Sequence, residues 1–186
     1  MFALTSRLTL RPGWPEDAMA LAQAIGHEEV VQKLSRVPWP YARGDADAFL
    51  SLPRGAAEPR FQIVERSGGY RLIGGIRLMR EAHGEHELGY WLTPAAWGRG
   101  YATEAGRAML DIARHALGLR RIVARHHADN PASGRVLRKL GFRETGRSRI
   151  YSLGRGGEVD CVDFAIDLAD DLAGGCAGDP PIPIAA

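Results

Sequence analysis

Cysteine is scarce in this chain. Cys161 and Cys176 are the only two in 186 residues, and they show neither a CxxC pair nor zinc-ligand spacing. That speaks against a secreted disulfide scaffold and fits a reducing cytosol, so a cytoplasmic location is expected. Long apolar runs are missing as well. Nothing approaches the roughly 18 residues of a membrane span, and Arg7 and Arg11 break the N-terminal stretch where a signal peptide carries its apolar core. No membrane partner is expected. Net charge is small, since 24 Lys and Arg against 22 Asp and Glu leave +2. A disordered polyelectrolyte is excluded, and no nucleic-acid partner is expected. Lysine itself is rare, with Lys33 and Lys139 the only two among the 24 basic residues. The basic side chains are nearly all arginine, which prefers planar, bidentate contact with carboxylate or phosphate. No internal repeat is visible.

What is present is an ordinary globular composition, 45% hydrophobic and 25% charged, in a length that suits one domain with its own core. Residues 1–173 read as that domain. Residues 174–186 have no period and read as a disordered tail. Charge is uneven along the chain. From 120 to 155 ten basic residues face only Asp129 and Glu144, whereas 158–186 hold seven acids and no Lys or Arg. The basic segment is either a phosphate-binding face or a solvated face paired with the acidic strand after it.

Periodicity divides the chain further. Thr9–Arg11 reads as a strand ended by Pro12, Pro15–Ile25 as a helix, and Glu28–Leu34 as a second helix. Asp45 is placed to cap a short helix carrying Phe49, Leu50 and Leu52. Phe61–Glu65, Arg71–Met79 and Glu85–Leu92 are strand-like, with short links, and predict an antiparallel meander. The pattern then alternates: a helix over Thr103–Leu117, a strand over Arg121–Arg125, a helix over Pro131–Leu140 stopped by Gly141, and closing strands at Phe142–Ser152 and Val159–Leu168. Helix–strand alternation predicts a parallel crossover in the sheet centre. The expected class is α+β, a mixed α/β fold.

The most informative segment joins the strand ending at Leu92 to the helix after it: Trp97-Gly98-Arg99-Gly100-Tyr101-Ala102-Thr103. Glycines there let the backbone approach a ligand, and a helix N-terminus adds unpaired N–H groups and partial positive charge. A nucleoside-triphosphate P-loop needs Lys-Ser/Thr where Tyr101-Ala102 stands. A dinucleotide fingerprint wants Gly or Ala where Thr103 stands, and wants its strand to open a parallel unit. The glycine turn x-G-x-G-x-A of acetyl-CoA enzymes fits without a gap, and a plain strand-to-helix turn is the competing reading. A second motif follows at Asn130-Pro131-Ala132-Ser133, where Asn130 can cap a helix with Pro131 in its first turn.

With Arg7 to Pro12, Leu88 to Ala105 and Asn130 to Phe142 in this order, the sequence resembles the GNAT acetyltransferases, in particular the RimJ/RimL-like branch. The resemblance implies the GNAT fold: a mostly antiparallel central sheet, flanked by helices, in which a parallel strand pair splays apart. It implies acetyl-CoA as cosubstrate and no metal. Pantetheine would pair with the backbone around Trp91 and Leu92. The pyrophosphate would sit on Trp97, Gly98, Arg99, Gly100, Tyr101, Ala102 and Thr103. Asn130, Ser133 and Arg138 would complete the cofactor site, with Arg135 and Arg138 candidates for the 3′-phosphate. It also suggests a homodimer, which the alternating apolar residues of the last strand support.

The chemistry is transfer of an acetyl group to a primary amine, either a protein N-terminus or a small molecule. The amine must lose a proton, the leaving thiolate gains from a hydrogen bond, and backbone N–H groups of the splayed strand can steady the oxyanion. Glu87 is the base candidate, set against an exposed strand residue beside Glu85. Family members that place a Tyr acid on the second helix have it where Leu137 stands here, so Ser133 becomes the candidate partner of the thiolate, set against a helix-capping hydroxyl. Asp160 reads first as a partner of Arg147 or Arg149. A metal at His83-x-x-His86 is not expected, and His126-His127 reads as loop polarity. The acceptor groove should come from residues 26–60 and 144–158. Two alternatives stay open: a nucleotide-binding oxidoreductase, and a catalytically silent acyl-CoA-binding module.

Overall fold

Runs of alternating apolar residues make the strands, and in the computed structural model of the protein, which describes residues 1–168 apart from Arg54, Ala56 and Gly68, they join one eight-stranded sheet. The elements in chain order are β1 (Ala3–Leu4), β2 (Leu8–Arg11), α1 (Ala18–Ile25), α2 (Glu28–Val31), α3 (Arg43–Ser51), β3 (Arg60–Glu65), β4 (Arg71–Arg80), β5 (His86–Leu92), α4 (Tyr101–Asp111), β6 (Arg121–His127), α5 (Pro131–Lys139), β7 (Arg143–Ser152) and β8 (Gly157–Asp167). The tail expected to be disordered, with Cys176, lies outside the described residues.

The spatial order is β1-β2-β3-β4-β5-β6-β8-β7. The meander β3–β4–β5 is antiparallel as its short links require, and β5–β6 is the parallel pair made by the α4 crossover. α5 then carries the chain past one strand position, and β8 returns to fill it, antiparallel to both β6 and β7. The apolar alternation of β8 therefore reflects a place inside the sheet, and it carries no argument for a dimer. The edge strand is the polar β7.

Two helical layers cover the two faces. Leu88, Leu92, Ile122 and Phe164 pack with Met109 of α4 and Leu137 of α5 in the main core. Ala18, Leu21, Ala46, Leu50 and Leu72 form a second cluster under α1 and α3, with Trp91 against it. Alternation along β5 thus sends Leu88, Tyr90 and Leu92 to one face and Glu87, Gly89 and Trp91 to the other. A register shift leaves Ile73 without a partner on β3 and lets Leu72 join the α1/α3 face. Gly75 lies under Trp91, whose indole would meet a side chain there at 2.6 Å.

Two local expectations need correction. Asp45 does not cap α3 but sits in its first turn, where its carboxylate accepts from the Ala42 N–H at 2.8 Å, so the helix starts earlier, at Arg43. The long helix begins at Tyr101 and ends in a wide π turn over Ile112–Ala116, where the Leu117 N–H donates to Ile112 O at 3.1 Å.

Candidate active site

The site begins where two strands part. β5 and β6 pair only at His86–Ile122 and Glu87–Val123. Beyond that point β6 stays bonded to β8 and β5 to β4, so a fork opens between them. The Thr93 N–H donates to Ile73 O at 2.8 Å, which sets the ladder phase. Residues 87, 89 and 91 exchange main-chain bonds with β4, and the main-chain groups of Leu88, Tyr90 and Leu92 point into the fork. The Leu92 carbonyl is already taken by the Trp97 indole N–H at 2.8 Å. Of the expected pair, Trp91 directs its main chain at Gly75 and its side chain at the α1/α3 face. The Leu88 N–H still serves the last β6 pair, so the free edge is the Leu88 carbonyl, Tyr90 and the Leu92 N–H.

The glycine loop closes one end of the fork. Gly98 and Gly100 have φ of 72° and 80°, a region that glycine enters freely, and Gly100 is the N-cap of α4. A side chain at Gly98 would meet open space, and one at Gly100 only Arg7, at 3.5 Å. What demands glycine in the free protein is therefore the backbone angle rather than crowding. The loop is held from behind. The Tyr101 hydroxyl donates to Glu65, which also pairs with Arg99 at 3.2 Å and Arg71 at 3.3 Å, and Arg7 donates to the Arg99 carbonyl at 3.0 Å. The Tyr101 hydrogen bond first, then Arg99 and Arg71, hold the Glu65 carboxyl below the usual carboxylate range. The Arg99 side chain is thus engaged by Glu65. Thr103 is buried.

Glu87 stands at the fork. Its side chain is 16% exposed and pairs with Arg125 Nε at 3.0 Å. Burial first, then hydrogen bonding with the Glu81 carboxyl, pushes its pKa up to about 7, against the pull of Arg125. That bond and Arg36 hold Glu81 low. A carboxylate poised near neutrality is suited to general-base work.

Across the fork, Asn130 caps α5 by accepting from the Ser133 N–H at 3.3 Å. The Ser133 hydroxyl sits 2.8 Å from the Tyr90 hydroxyl, which also bonds Ser133 O at 3.1 Å. Burial pushes Tyr90 up to about 12, so it remains a donor. One cleft of about 1500 Å³ runs from Gly98, Gly100 and Ala102 past Tyr90 and Ser133 to Glu87 and the groove of α1–α3.

A model of the acetyltransferase (GNAT) domain matches residues 7–143. An uncharacterized N-acetyltransferase p20 of Bacillus licheniformis is 31% identical over 175 residues, 91% of this chain and 97% of that one. The chain belongs to the GNAT acetyltransferase family. Among solved structures, a GNAT-family acetyltransferase from Bacillus anthracis superimposes with a TM-score of 0.76 at 25% identity, over 90% of this chain and 98% of that one. RimJ of Mycobacterium smegmatis, solved with CoA-disulfide, gives 0.75 at 25% identity, over 87% and 82%.

The remaining candidates are engaged elsewhere or only border the cleft. Arg138 pairs with Glu144 at 3.3 Å and lies over Phe164, whereas Arg135 and Lys139 line the cleft. Leu137 is fully buried core, with no access to a thiolate. Asp160 is exposed and pairs with Arg149 at 3.2 Å. His126 and His127 are not loop polarity but buried parts of β6 that border the cleft, bonded to His127 O at 2.8 Å and Gln32 O at 3.1 Å. His83 is exposed on a turn while His86 is buried, so the two do not converge. Among the described residues no cluster of three His, Cys, Asp or Glu forms. Residues 26–60 supply most of the outer groove, and 144–158 contribute Ile150 and Tyr151. Tyr90, Arg77, Arg125 and Glu81 were not foreseen. Tyr90 shares a strand face with Leu92, which was the available signal, whereas Arg77 is placed only by the β4–β5 register.

Proposed function

We propose that this GNAT domain transfers the acetyl group of acetyl-CoA directly to a primary amine, in the manner of the RimJ/RimL-like branch. One observation carries the reading: a single cleft joins the Gly98–Gly100 helix N-terminus, the open edge of β5 and the Glu87 carboxyl. The residues present fit acetyl-CoA. Main-chain N–H groups at the start of α4, with Gly98 and Gly100 in left-handed conformation, make an anion cradle. The unpaired edge of β5 offers an amide-bearing arm a strand to lie against. The solved RimJ complex holds a CoA derivative in the same fold. Acetyl-CoA supplies the activated acyl group.

The chain's own residues do the rest. Glu87, half ionised near pH 7, takes the proton of the incoming ammonium, directly or through water. Arg125 keeps the carboxyl oriented. N–H groups of Tyr90 and Leu92 face the fork and can receive developing negative charge on oxygen. Ser133, positioned by Tyr90, offers a hydroxyl to the departing thiolate. The test is calorimetric titration with CoA and with NAD, followed by thiol release from acetyl-CoA across an amine panel. CoA binding with acceptor-dependent thiol release is expected. Tighter NAD binding supports the oxidoreductase, and CoA binding without release supports the silent module.

A further inference from the structure

The floor of the acceptor half of the cleft carries an excess of positive charge. Arg77 and Glu87 lie on the same face of adjacent strands as diagonal neighbours, because Met79 stands opposite Glu87 and Arg77 opposite Gly89. Such neighbours are separated by roughly 7 to 8 Å at the backbone. Gly89 has no side chain to cover the guanidinium, which crosses it with Nε 3.5 Å from where a Cβ would be. Nearby charges are otherwise matched. Arg125 is paired with Glu87 at 3.0 Å and Arg36 with Glu81 at 3.1 Å, and the two carboxyls hydrogen-bond each other. Arg60 donates to Leu52 O and lies over Phe49. The Arg77 guanidinium makes neither a hydrogen bond nor an ion pair among the described residues, although it is partly buried and lines the cleft. Three guanidiniums thus surround two hydrogen-bonded carboxyls; Arg77 feels Glu87 and Glu81 only at longer range, and a partly desolvated cation with no contact partner is costly.

We propose that Arg77 is the anion-recognising residue of the acceptor site, and that the acceptor is a primary amine carrying a carboxylate a few bonds from its nitrogen. The proposal rests on the acetyl-transfer reading for the position of the amine. The Arg77–Glu87 spacing suits a molecule in which amine and anion are close, as in an amino acid. A polyamine would add positive charge beside three guanidiniums. Tyr41, Phe49 and Leu52 on the outer wall favour an apolar side chain.

The experiment compares leucine, leucinamide and isoamylamine as acceptors in thiol release, per unprotonated amine, in wild type, Arg77→Met and Arg77→Lys. Leucine should exceed both carboxylate-free amines at least tenfold in kcat/KM. Arg77→Met should erase that preference and Arg77→Lys restore part of it, with CoA affinity unchanged as evidence of an intact fold. Amidated dipeptides Leu-Glu and Leu-Gln separate the acceptor's own carboxylate from a following acidic side chain, and a Glu preference without a leucine preference overturns the proposed acceptor. Equal or better turnover of isoamylamine or spermidine overturns the proposal. So does an Arg77→Met variant that slows all acceptors alike. If no acceptor releases thiol, binding of N-acetyl-leucine against N-acetyl-leucinamide with CoA present decides. A tenfold preference that depends on Arg77 supports the anion site while the transfer reading fails, and equal binding overturns the anion site.

Discussion

Replacing Glu87 by Gln probes the chemistry with little change of shape. Gln keeps the volume and can still hydrogen-bond Glu81, but it cannot take a proton. With a pKa near 7, Glu87 is half ionised at pH 7 and about nine-tenths ionised one unit higher. Wild-type kcat should therefore rise with pH through about 7 and level off above about 8, because the protonated carboxyl is inactive as a base. A general base contributes on the order of 10²-fold at the low end, and that factor corresponds to about 2.7 kcal/mol of barrier. Glu87→Gln should lower kcat by this factor, leave the KM for acetyl-CoA nearly unchanged, and flatten the acidic limb. The neighbours set a second check. Glu81 raises the Glu87 pKa and Arg125 lowers it. Glu81→Gln should move the limb to lower pH, and Arg125→Met to higher pH. Stopped assays of thiol release between pH 5.5 and 9 would read all four proteins. A Glu87→Gln enzyme with wild-type kcat and an unchanged profile would refute the assignment.

Other expectations follow from the same geometry. Gly100→Val forces a branched side chain into φ of 80°, a strain of about 1–3 kcal/mol, and should weaken CoA binding tenfold or more by calorimetry while Gly100→Asn, which tolerates that region, weakens it less. Ser133→Ala and Tyr90→Phe should each lower kcat without moving the acidic limb, since neither hydroxyl titrates there, and the double variant should lose little more than Ser133→Ala if Tyr90 acts only through Ser133. Leu137→Ala should cost about 2–5 kcal/mol in urea unfolding, and Leu137→Tyr should destabilise by overpacking and restore no acid.

Local chemistry made part of the site legible. Gly98 and Gly100 announce a left-handed turn at a helix start, Asn130-Pro131 announces a cap, and Glu87 lies on a strand whose role follows from that turn. The meander and the single parallel crossover follow from short and long links. Other features depend on partners far apart in sequence. Tyr90 meets Ser133 43 residues on, and Glu65 meets Tyr101 36 residues on. The Arg99 side chain looked available to a phosphate because nothing in its own loop reveals Glu65. Arg77 reads as an ordinary strand arginine until the register places it over Gly89. The position of β8 inside the sheet could not be deduced from its pattern, because an interior strand and an interface strand alternate alike.

The central claim is that the cleft at the β5–β6 fork passes an acetyl group to an amine beside Glu87. Its most direct test is incubation with acetyl-CoA isotopically labelled in the acetyl group, together with a panel of primary amines. Label in the isolated acceptor should appear one for one with free thiol, and both should fall about 10²-fold in Glu87→Gln. Thiol release with no label on any acceptor, or equal transfer by Glu87→Gln across the pH range, would contradict the account.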